Sequence, residues 1–130
     1  MVFVPHTAMI FAAGFGTRMQ PITNTTPKPL VKVMDKPLID WRIDALVSAG
    51  VKKAVVNTHH LAEQLQGHLA KRTDIEIIIS HEEDLLETGG GLVKALPHLG
   101  DDPIYLINSD VIWLDPPHGE NALLRLAQHY

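Results

Sequence analysis

The stretch AAGFGTRMQP, residues 12 to 21, brings two glycines, a threonine and an arginine together directly after an apolar segment. Gly14 and Gly16 have no Cβ, so backbone N–H groups can approach phosphate oxygens there. Arg18 adds a planar, permanently charged fork that suits two phosphate oxygens. Lys28, held between two prolines, adds a compact point charge. Together these residues predict a phosphate-binding loop.

Two better-known phosphate-binding motifs fit this stretch less well. A P-loop needs Gly-Lys-Ser/Thr after four intervening residues, and no such sequence follows Gly14. A dinucleotide-binding loop needs a third glycine where Met19 stands, and an acidic residue at the end of the next strand, where Asn57 and Thr58 stand. A dinucleotide-dependent oxidoreductase is therefore the weaker alternative.

Two later segments also carry residues suited to a nucleotide. The segment LLETGGGLVKAL, residues 85 to 96, opens a helix with consecutive glycines, each of which would cost about 1 kcal/mol relative to alanine in a helix interior. Either the backbone itself is needed there by a ligand, or the segment is an ordinary glycine-rich loop. The segment INSDVIW, residues 107 to 113, ends a strand with Asp110, whose carboxylate could hold Mg²⁺ against a triphosphate or, alternatively, cap a helix.

The elements that would position these residues follow from the hydrophobic pattern. Apolar runs of strand length alternate with helical patterns, which predicts βαβ units and a mainly parallel sheet. The expected fold class is α/β, a Rossmann-like three-layer α/β/α arrangement with helices on both faces. The expected strands are Ala8 to Ala12, Lys53 to Asn57, Ile75 to Ser80 and Pro103 to Asn108.

Three helices are predicted between these strands. The first has Asp35 as a possible cap and Gly50 as its end, with a core face of Ile39, Ile43, Leu46 and Val47. The predicted ranges are Pro37 to Ala49, Leu61 to Lys71, and about Gly90 to Pro97. A further helical pattern at residues 123 to 127 is still under way near the end of the sequence.

Composition limits the class of function. The 130 residues, 45% of them apolar, can form one domain of ordinary size. A net charge of -4 gives no field that would attract nucleic acid or an anionic membrane, and neither is an expected partner. With no cysteine and no signal-like start, the expected location is the cytoplasm. The eight histidines include no zinc-binding spacing, and the oligomeric state stays open.

The run AAGFGTRMQPITNTTPKPL, residues 12 to 30, resembles the signature of the sugar-1-phosphate nucleotidyltransferases. That signature reads Ala-Ala-Gly-x-Gly-Thr-Arg-Leu, then a Pro and a Thr, then Pro-Lys-x-Leu. Met19 replaces the usual leucine, a swap of similar volume. The order of the later segments agrees, so the resemblance covers nearly the whole chain. Residues 56 to 69 and NSDVIW are most similar to the muramate-1-phosphate uridylyltransferase branch, with the mannose-1-phosphate guanylyltransferase branch as the other possibility.

The resemblance implies a fold of the nucleotide-diphospho-sugar transferase type. Residues 1 to 130 would be its nucleotide-binding N-terminal part, without the C-terminal sugar-binding half, and would be inactive alone. The implied reaction moves a nucleoside monophosphate from an NTP, with UTP favoured, to a sugar 1-phosphate, and releases pyrophosphate, with Mg²⁺ as cofactor. The alternatives are a GTP-using mannose-1-phosphate guanylyltransferase and a non-catalytic nucleotide-binding regulatory module.

The resemblance also assigns roles to the charged residues. Arg18 would hold the β- and γ-phosphates, and Lys28 would contact the α-phosphate or the incoming sugar phosphate; both count as catalytic. Asp110 would be the metal ligand. Ser109 stands where the family usually has glycine, which changes how closely the backbone can approach the ligand.

Substrate binding is assigned to backbone and to one acid. Glu82, or Glu83 if the loop shifts the alignment, would read the base edge, and a carboxylate can accept equally from uracil or guanine. The other expected substrate-binding residues lie in two loops: Ala12, Ala13, Gly14, Gly16 and Thr17 in the first, and Thr88, Gly89 and Gly90 in the second.

Overall fold

Four parallel strands form the centre of the computed structural model, which describes residues 3 to 130. In chain order the strands are β1 Thr7–Phe11, β2 Lys32–Val33, β3 Lys36–Pro37, β4 Lys53–Thr58, β5 Glu76–His81 and β6 Tyr105–Asn108. The main sheet has the order β5-β4-β1-β6, while β2 and β3 form a separate antiparallel hairpin. Because all four main strands run the same way, their carboxyl ends lie at one edge of the sheet.

Helices follow the strands as the hydrophobic pattern predicts. They are α1 Leu38–Ser48, α2 Ala62–Leu69, α3 Glu87–Ala95 and α4 Ala122–Gln128. Short 3₁₀ turns at Thr17–Met19, Ile22–Asn24 and Lys28–Leu30 shape the long segment between β1 and β2. In the part of the chain that the structure describes, no helix combines the length and the apolar character that a membrane crossing requires.

Two hydrophobic clusters pack against opposite faces of the sheet. The larger one joins α1, α2 and α4 to one face, and the smaller one joins α3 to the other. The strands lack polar alternation because both faces are covered. The larger cluster includes Ile10, Val56, Ile43, Leu65 and Leu123, and the smaller one Met9, Val55, Ala95 and Leu99. These layers confirm the predicted three-layer α/β/α architecture.

The predicted core face of α1 is correct, but its predicted cap is wrong. Ile39, Ile43 and Leu46 are fully buried, and Val47 is partly buried against the same cluster, which fits the spacing of one helix face. Asp35 lies instead in the two-residue turn of the β2–β3 hairpin, with a φ of 60°. The helix begins after Pro37 with no side-chain cap. Gly50 ends the segment with a φ of 88°, as expected.

Other boundaries differ from the predictions for identifiable reasons. β1 ends at Phe11 rather than Ala12, because the Ala12 N–H donates to a side chain and leaves the sheet's ladder. The α3 helix begins at Glu87, three residues before the predicted start, so its glycines lie inside the first turns. The last helix ends at Gln128.

Replacement of Ile43 by alanine should test the core of the larger cluster. Ile43 is completely buried, with 0% of its surface accessible to solvent. Ile43→Ala should therefore lower the free energy of unfolding by about 2–5 kcal/mol. Urea denaturation measures the change. The matched control is Val93→Ala on α3, where the side chain is 66% exposed and the change should be within about 0.5 kcal/mol. Equal effects of the two substitutions would contradict the described packing.

Candidate functional site

Two adjoining cavities open at the carboxyl ends of the parallel strands, and both are lined by Phe11 and Gly14. The first, here called the Lys28 cavity, has a volume of about 250 Å³ and is also lined by Ala12, Gly16, Lys28, Pro29, Asn108, Ser109 and Asp110. The second, the Glu82 cavity, has a volume of about 340 Å³ and is also lined by Ala13, Asn57, Glu82, Leu85, Glu87 and Thr88. The loop after β1 thus lies between two adjoining cavities at the edge where open α/β sheets bind ligands.

Lys28 and Asp110 form an ion pair across the Lys28 cavity. Lys28 Nζ lies 2.8 Å from Asp110 Oδ2, and both side chains are partly exposed. Asp110 comes two residues after β6, and Lys28 begins a 3₁₀ turn anchored by the buried Pro29. The structure therefore brings together a cation and a carboxylate that are 82 positions apart in the chain.

Gly16 allows the segment that carries Lys28 to lie against the loop after β1. Its φ is 65°, and the Thr23 hydroxyl donates a 2.6 Å hydrogen bond to its carbonyl oxygen. A Cβ at this position would be 2.8 Å from Thr23 Cγ2 and 3.1 Å from Lys28 Cβ. Gly14, in contrast, has no atom within 4 Å of its missing Cβ and leaves the loop backbone open to both cavities.

Side chains near the start of α2 hold residues 23 to 25, before Lys28, in place. His60 Nε2 donates to the carbonyl of Thr23 over 2.6 Å, and the side-chain amide of Gln64 donates to that of Thr25 over 2.8 Å. The Phe15 ring also packs against the rings of both His59 and His60.

Within residues 3 to 130, no group of three or more histidine, aspartate or glutamate side chains is arranged to hold a metal ion.

Arg18 and Thr17 lie outside both cavities. They belong to the 3₁₀ turn Thr17–Met19 and are exposed, and none of the described residues accepts a hydrogen bond from the Arg18 guanidinium. The structure therefore unites Lys28 with Asp110 but does not add Arg18 to that pair. The predicted contacts of Arg18 and Thr17 with substrate stay predictions.

Glu82 is fully buried in the wall of the Glu82 cavity. Its Oε1 accepts a 3.1 Å hydrogen bond from the Leu86 N–H, and its Oε2 accepts a 2.9 Å hydrogen bond from the Asn57 side-chain amide. The carboxylate is thus bound to protein donors, and its predicted contact with a base stays a prediction. Glu83 is exposed and lines neither cavity.

Asn57 is not among the residues predicted for the site, although it lines the Glu82 cavity. Its Oδ1 accepts a 2.7 Å hydrogen bond from the Ala12 N–H, while its Nδ2 donates to Glu82. The signal in the sequence was an amide near the end of an otherwise apolar strand. The site therefore depends on a buried polar residue that the motif alone does not include.

The glycines of α3 have different surroundings. A Cβ on Gly91 would lie 2.8 Å from Asn57 Nδ2 and 2.9 Å from Glu82 Oε2. A Cβ on Gly89 would have open space, and one on Gly90 would meet only Leu86 Cβ, at 3.0 Å. Thr88 lines the Glu82 cavity, but Gly89 and Gly90, which were predicted to bind substrate, line neither cavity. The packing therefore requires glycine at the third position of the run.

A family model described as nucleotidyl transferase matches residues 7 to 129, which include both cavities. The chain belongs to the nucleotidyl transferase family. This membership agrees with the resemblance of residues 12 to 30 and with the position of the cavities at the carboxyl edge of the sheet.

Curated relatives within this family include two kinds of sugar-1-phosphate enzyme. N-acetylmuramate alpha-1-phosphate uridylyltransferase of Caulobacter vibrioides is 48% identical over 116 residues, covering 85% of this chain and 48% of the relative. Mannose-1-phosphate guanylyltransferase catalytic subunit beta of Drosophila melanogaster is 39% identical over 110 residues, covering 81% of this chain and 30% of the relative. The chain thus spans about half, or less, of the length of these nucleotidyltransferases.

Solved structures agree with the nucleotidyltransferase fold. A UDP-glucose pyrophosphorylase complexed with UDP-glucose superposes with a TM-score of 0.86 over 98% of this chain and 53% of that chain, at 20% identity. A UDP-glucose pyrophosphorylase from Acinetobacter baumanii gives a TM-score of 0.77 over 88% of this chain and 48% of that chain, at 21% identity. At these identities the likeness shows the fold alone.

Alanine at Gly16 should disrupt the loop that carries the family motif. The left-handed φ would cost about 1–2 kcal/mol, and the contact with Thr23 would add to that cost, so Gly16→Ala should lower the free energy of unfolding. Chemical denaturation measures the loss. The control is Gly67→Ala on α2, where the added Cβ meets nothing within 4 Å and the substitution should stabilise by about 0.4–1 kcal/mol. A neutral Gly16→Ala variant would contradict the described loop.

Proposed function

We propose that the natural protein containing this chain transfers a nucleoside monophosphate from an NTP to a sugar 1-phosphate, giving a nucleotide sugar and pyrophosphate. The observation that carries the proposal is the Lys28 cavity, in which the glycine loop, Lys28 and Asp110 face one space. Family membership supports the reaction class. Cysteine is absent from the sequence, which supports the cytoplasm as the compartment.

The reaction is an in-line displacement at phosphorus. An oxygen of the sugar phosphate attacks the α-phosphorus, a new P–O bond forms, and the bond from the α-phosphorus to the bridging oxygen breaks as pyrophosphate leaves. No covalent intermediate with the protein is needed, so positioning and charge neutralisation supply the catalysis. In this scheme Lys28 contacts the α-phosphate or the sugar phosphate, and the backbone at Ala13 and Gly14 approaches the nucleotide.

The donor set in the Lys28 cavity fits Mg²⁺. Magnesium sites at nucleotides use one or two carboxylates together with phosphate oxygens, and Asp110 offers one partly exposed carboxylate beside the glycine loop. Asp110 would therefore hold the ion, which supplies charge neutralisation at the phosphates when bound. We assign Arg18 to the β- and γ-phosphates, which requires its exposed side chain to turn toward the cavity.

The nucleoside would occupy the Glu82 cavity, which adjoins the Lys28 cavity at Gly14. Thr88 lines this cavity, and we assign Gly89 and Gly90 to the same base and ribose contacts. UTP is favoured because the more similar of the two relatives described above is named a uridylyltransferase. The sugar-binding residues and any second metal ligand belong, in this proposal, to a C-terminal half outside these 130 residues.

Removal of the lysine charge should weaken nucleotide binding. Lys28→Met keeps the length of the side chain but loses a charge-assisted contact worth about 1.5–3 kcal/mol, so the Kd for UTP with Mg²⁺ should rise about 10- to 100-fold. Isothermal titration calorimetry with UTP and then GTP measures it, and the control is Lys52→Met at an exposed position. If neither nucleotide binds the wild-type protein, the proposed function is wrong.

Removal of the carboxylate at Asp110 should abolish the contribution of Mg²⁺. In Asp110→Asn the neutral amide is a poorer magnesium ligand, so the Kd for UTP should no longer respond to Mg²⁺. Titrations with and without MgCl₂ measure this, with Asp101→Asn as the exposed control. Pyrophosphate release from UTP and a sugar 1-phosphate, assayed in the natural protein, separates the transferase from a regulatory module that binds UTP without turnover.

A further inference from the structure

We propose that Asn57 is a positioning residue that fixes the loop after β1 and the loop after β5 in one relative geometry for the nucleotide. This inference rests on the proposed function, because it gives the Glu82 cavity its nucleoside. Asn57 is 3% exposed and lies near the carboxyl end of β4, between the two loops.

A continuous line of hydrogen bonds runs through this side chain. The Ala12 N–H donates to Asn57 Oδ1 over 2.7 Å, and Asn57 Nδ2 donates to Glu82 Oε2 over 2.9 Å. The Leu86 N–H then donates to Glu82 Oε1 over 3.1 Å. One amide and one carboxylate thus join the backbone of the first loop to the backbone that leads into α3.

The carboxylate in this line depends on Asn57. Glu82 is 0% exposed, and its side-chain partners in the described chain are neutral donors, the Asn57 amide and the Leu86 N–H. A buried carboxylate without enough donors is strongly disfavoured. Loss of the Asn57 donor therefore destabilises the present arrangement of the Glu82 carboxylate and its hydrogen bond with the Leu86 N–H.

The α3 helix packs directly against the side chains of Asn57 and Glu82. At Gly91 there is no room for a Cβ between the helix backbone, Asn57 Nδ2 and Glu82 Oε2. The helix also carries Glu87 and Thr88, which line the Glu82 cavity. A shift of the pair is thereby passed to the wall of that cavity, although neither Asn57 nor Glu82 need react with the substrate.

The backbone around Glu82 has independent supports. The Glu82 N–H donates to the Thr58 carbonyl over 2.8 Å, and the Glu82 carbonyl accepts from His59 Nδ1 over 2.7 Å. Side-chain substitutions at Asn57 and Glu82 therefore change the link between the loops while these backbone contacts remain.

The chain offers a test in which the polarity of the link is exchanged. Asn57→Asp keeps an acceptor for the Ala12 N–H but places a second carboxylate against Glu82. Glu82→Gln alone places an amide donor against another N–H donor of the line. In the double variant N57D/E82Q, the new amide donates to the new carboxylate, so every hydrogen bond has a donor and an acceptor again, with a single carboxylate.

We expect each single variant to raise the Kd for UTP with Mg²⁺ about tenfold or more, since each loses a buried charge-assisted hydrogen bond. The double variant should return to within about threefold of wild type, a non-additive recovery that marks direct coupling. Calorimetry gives the Kd, and hydrogen exchange of the Ala12 and Leu86 amides, without nucleotide, reports the link itself. The control pair is N24D and E76Q, alone and combined, at exposed positions.

The outcomes are distinct. The inference is supported if each single variant raises the Kd and speeds exchange of both amides, and if N57D/E82Q recovers. It is overturned if the rise in Kd of the double variant equals the product of the rises in the two single variants. If N57D does not fold, the comparison of E82Q with N57D/E82Q decides in the same way. If wild type binds no nucleotide, the proposed function fails, and the amide exchange still tests the link between the loops.

Discussion

The Ala12 N–H donates its hydrogen bond to the Asn57 side chain instead of to a neighbouring strand, and the loop that follows depends on this change of partner. The β1 strand ends there, and the chain turns outward so that Gly14 faces both cavities. A buried N–H needs an acceptor wherever it points, so the amide of Asn57 makes the turn possible without leaving an orphaned donor. The Lys28 cavity and the Glu82 cavity then share one short piece of backbone at Gly14.

The two cavities are stabilised by different kinds of contact. In the Lys28 cavity the principal contact is an ion pair between partly exposed side chains, which solvent screens and a charged ligand can replace. In the Glu82 cavity Asn57 and Glu82 are buried and hydrogen-bonded to each other, so these two side chains resist rearrangement. The adaptable charges thus lie where phosphates and metal are expected, and the rigid wall lies where the base is expected.

The sequence predicted the parallel sheet and the core face of α1, because each follows from the hydrophobic periodicity of its elements. It did not predict the β2–β3 hairpin, whose strands are two residues each and carry no hydrophobic signal. Nor did it identify Asn57 or Gly91, since a buried amide and its close backbone neighbour become visible only when distant segments are packed together. The position of Arg18 outside the cavities likewise depends on the turn Thr17–Met19 rather than on the motif.

The pairing of Lys28 with Asp110 gives the cleft a selectivity by charge pattern. A lone anion that approaches the ammonium must also face the carboxylate, and a lone cation that approaches the carboxylate must face the ammonium, so each is attracted and repelled over similar distances. A ligand that carries both signs in the matching order satisfies both groups at once. The ion pair therefore favours, on electrostatic grounds, a ligand with separated positive and negative groups over a simple anion or a simple cation.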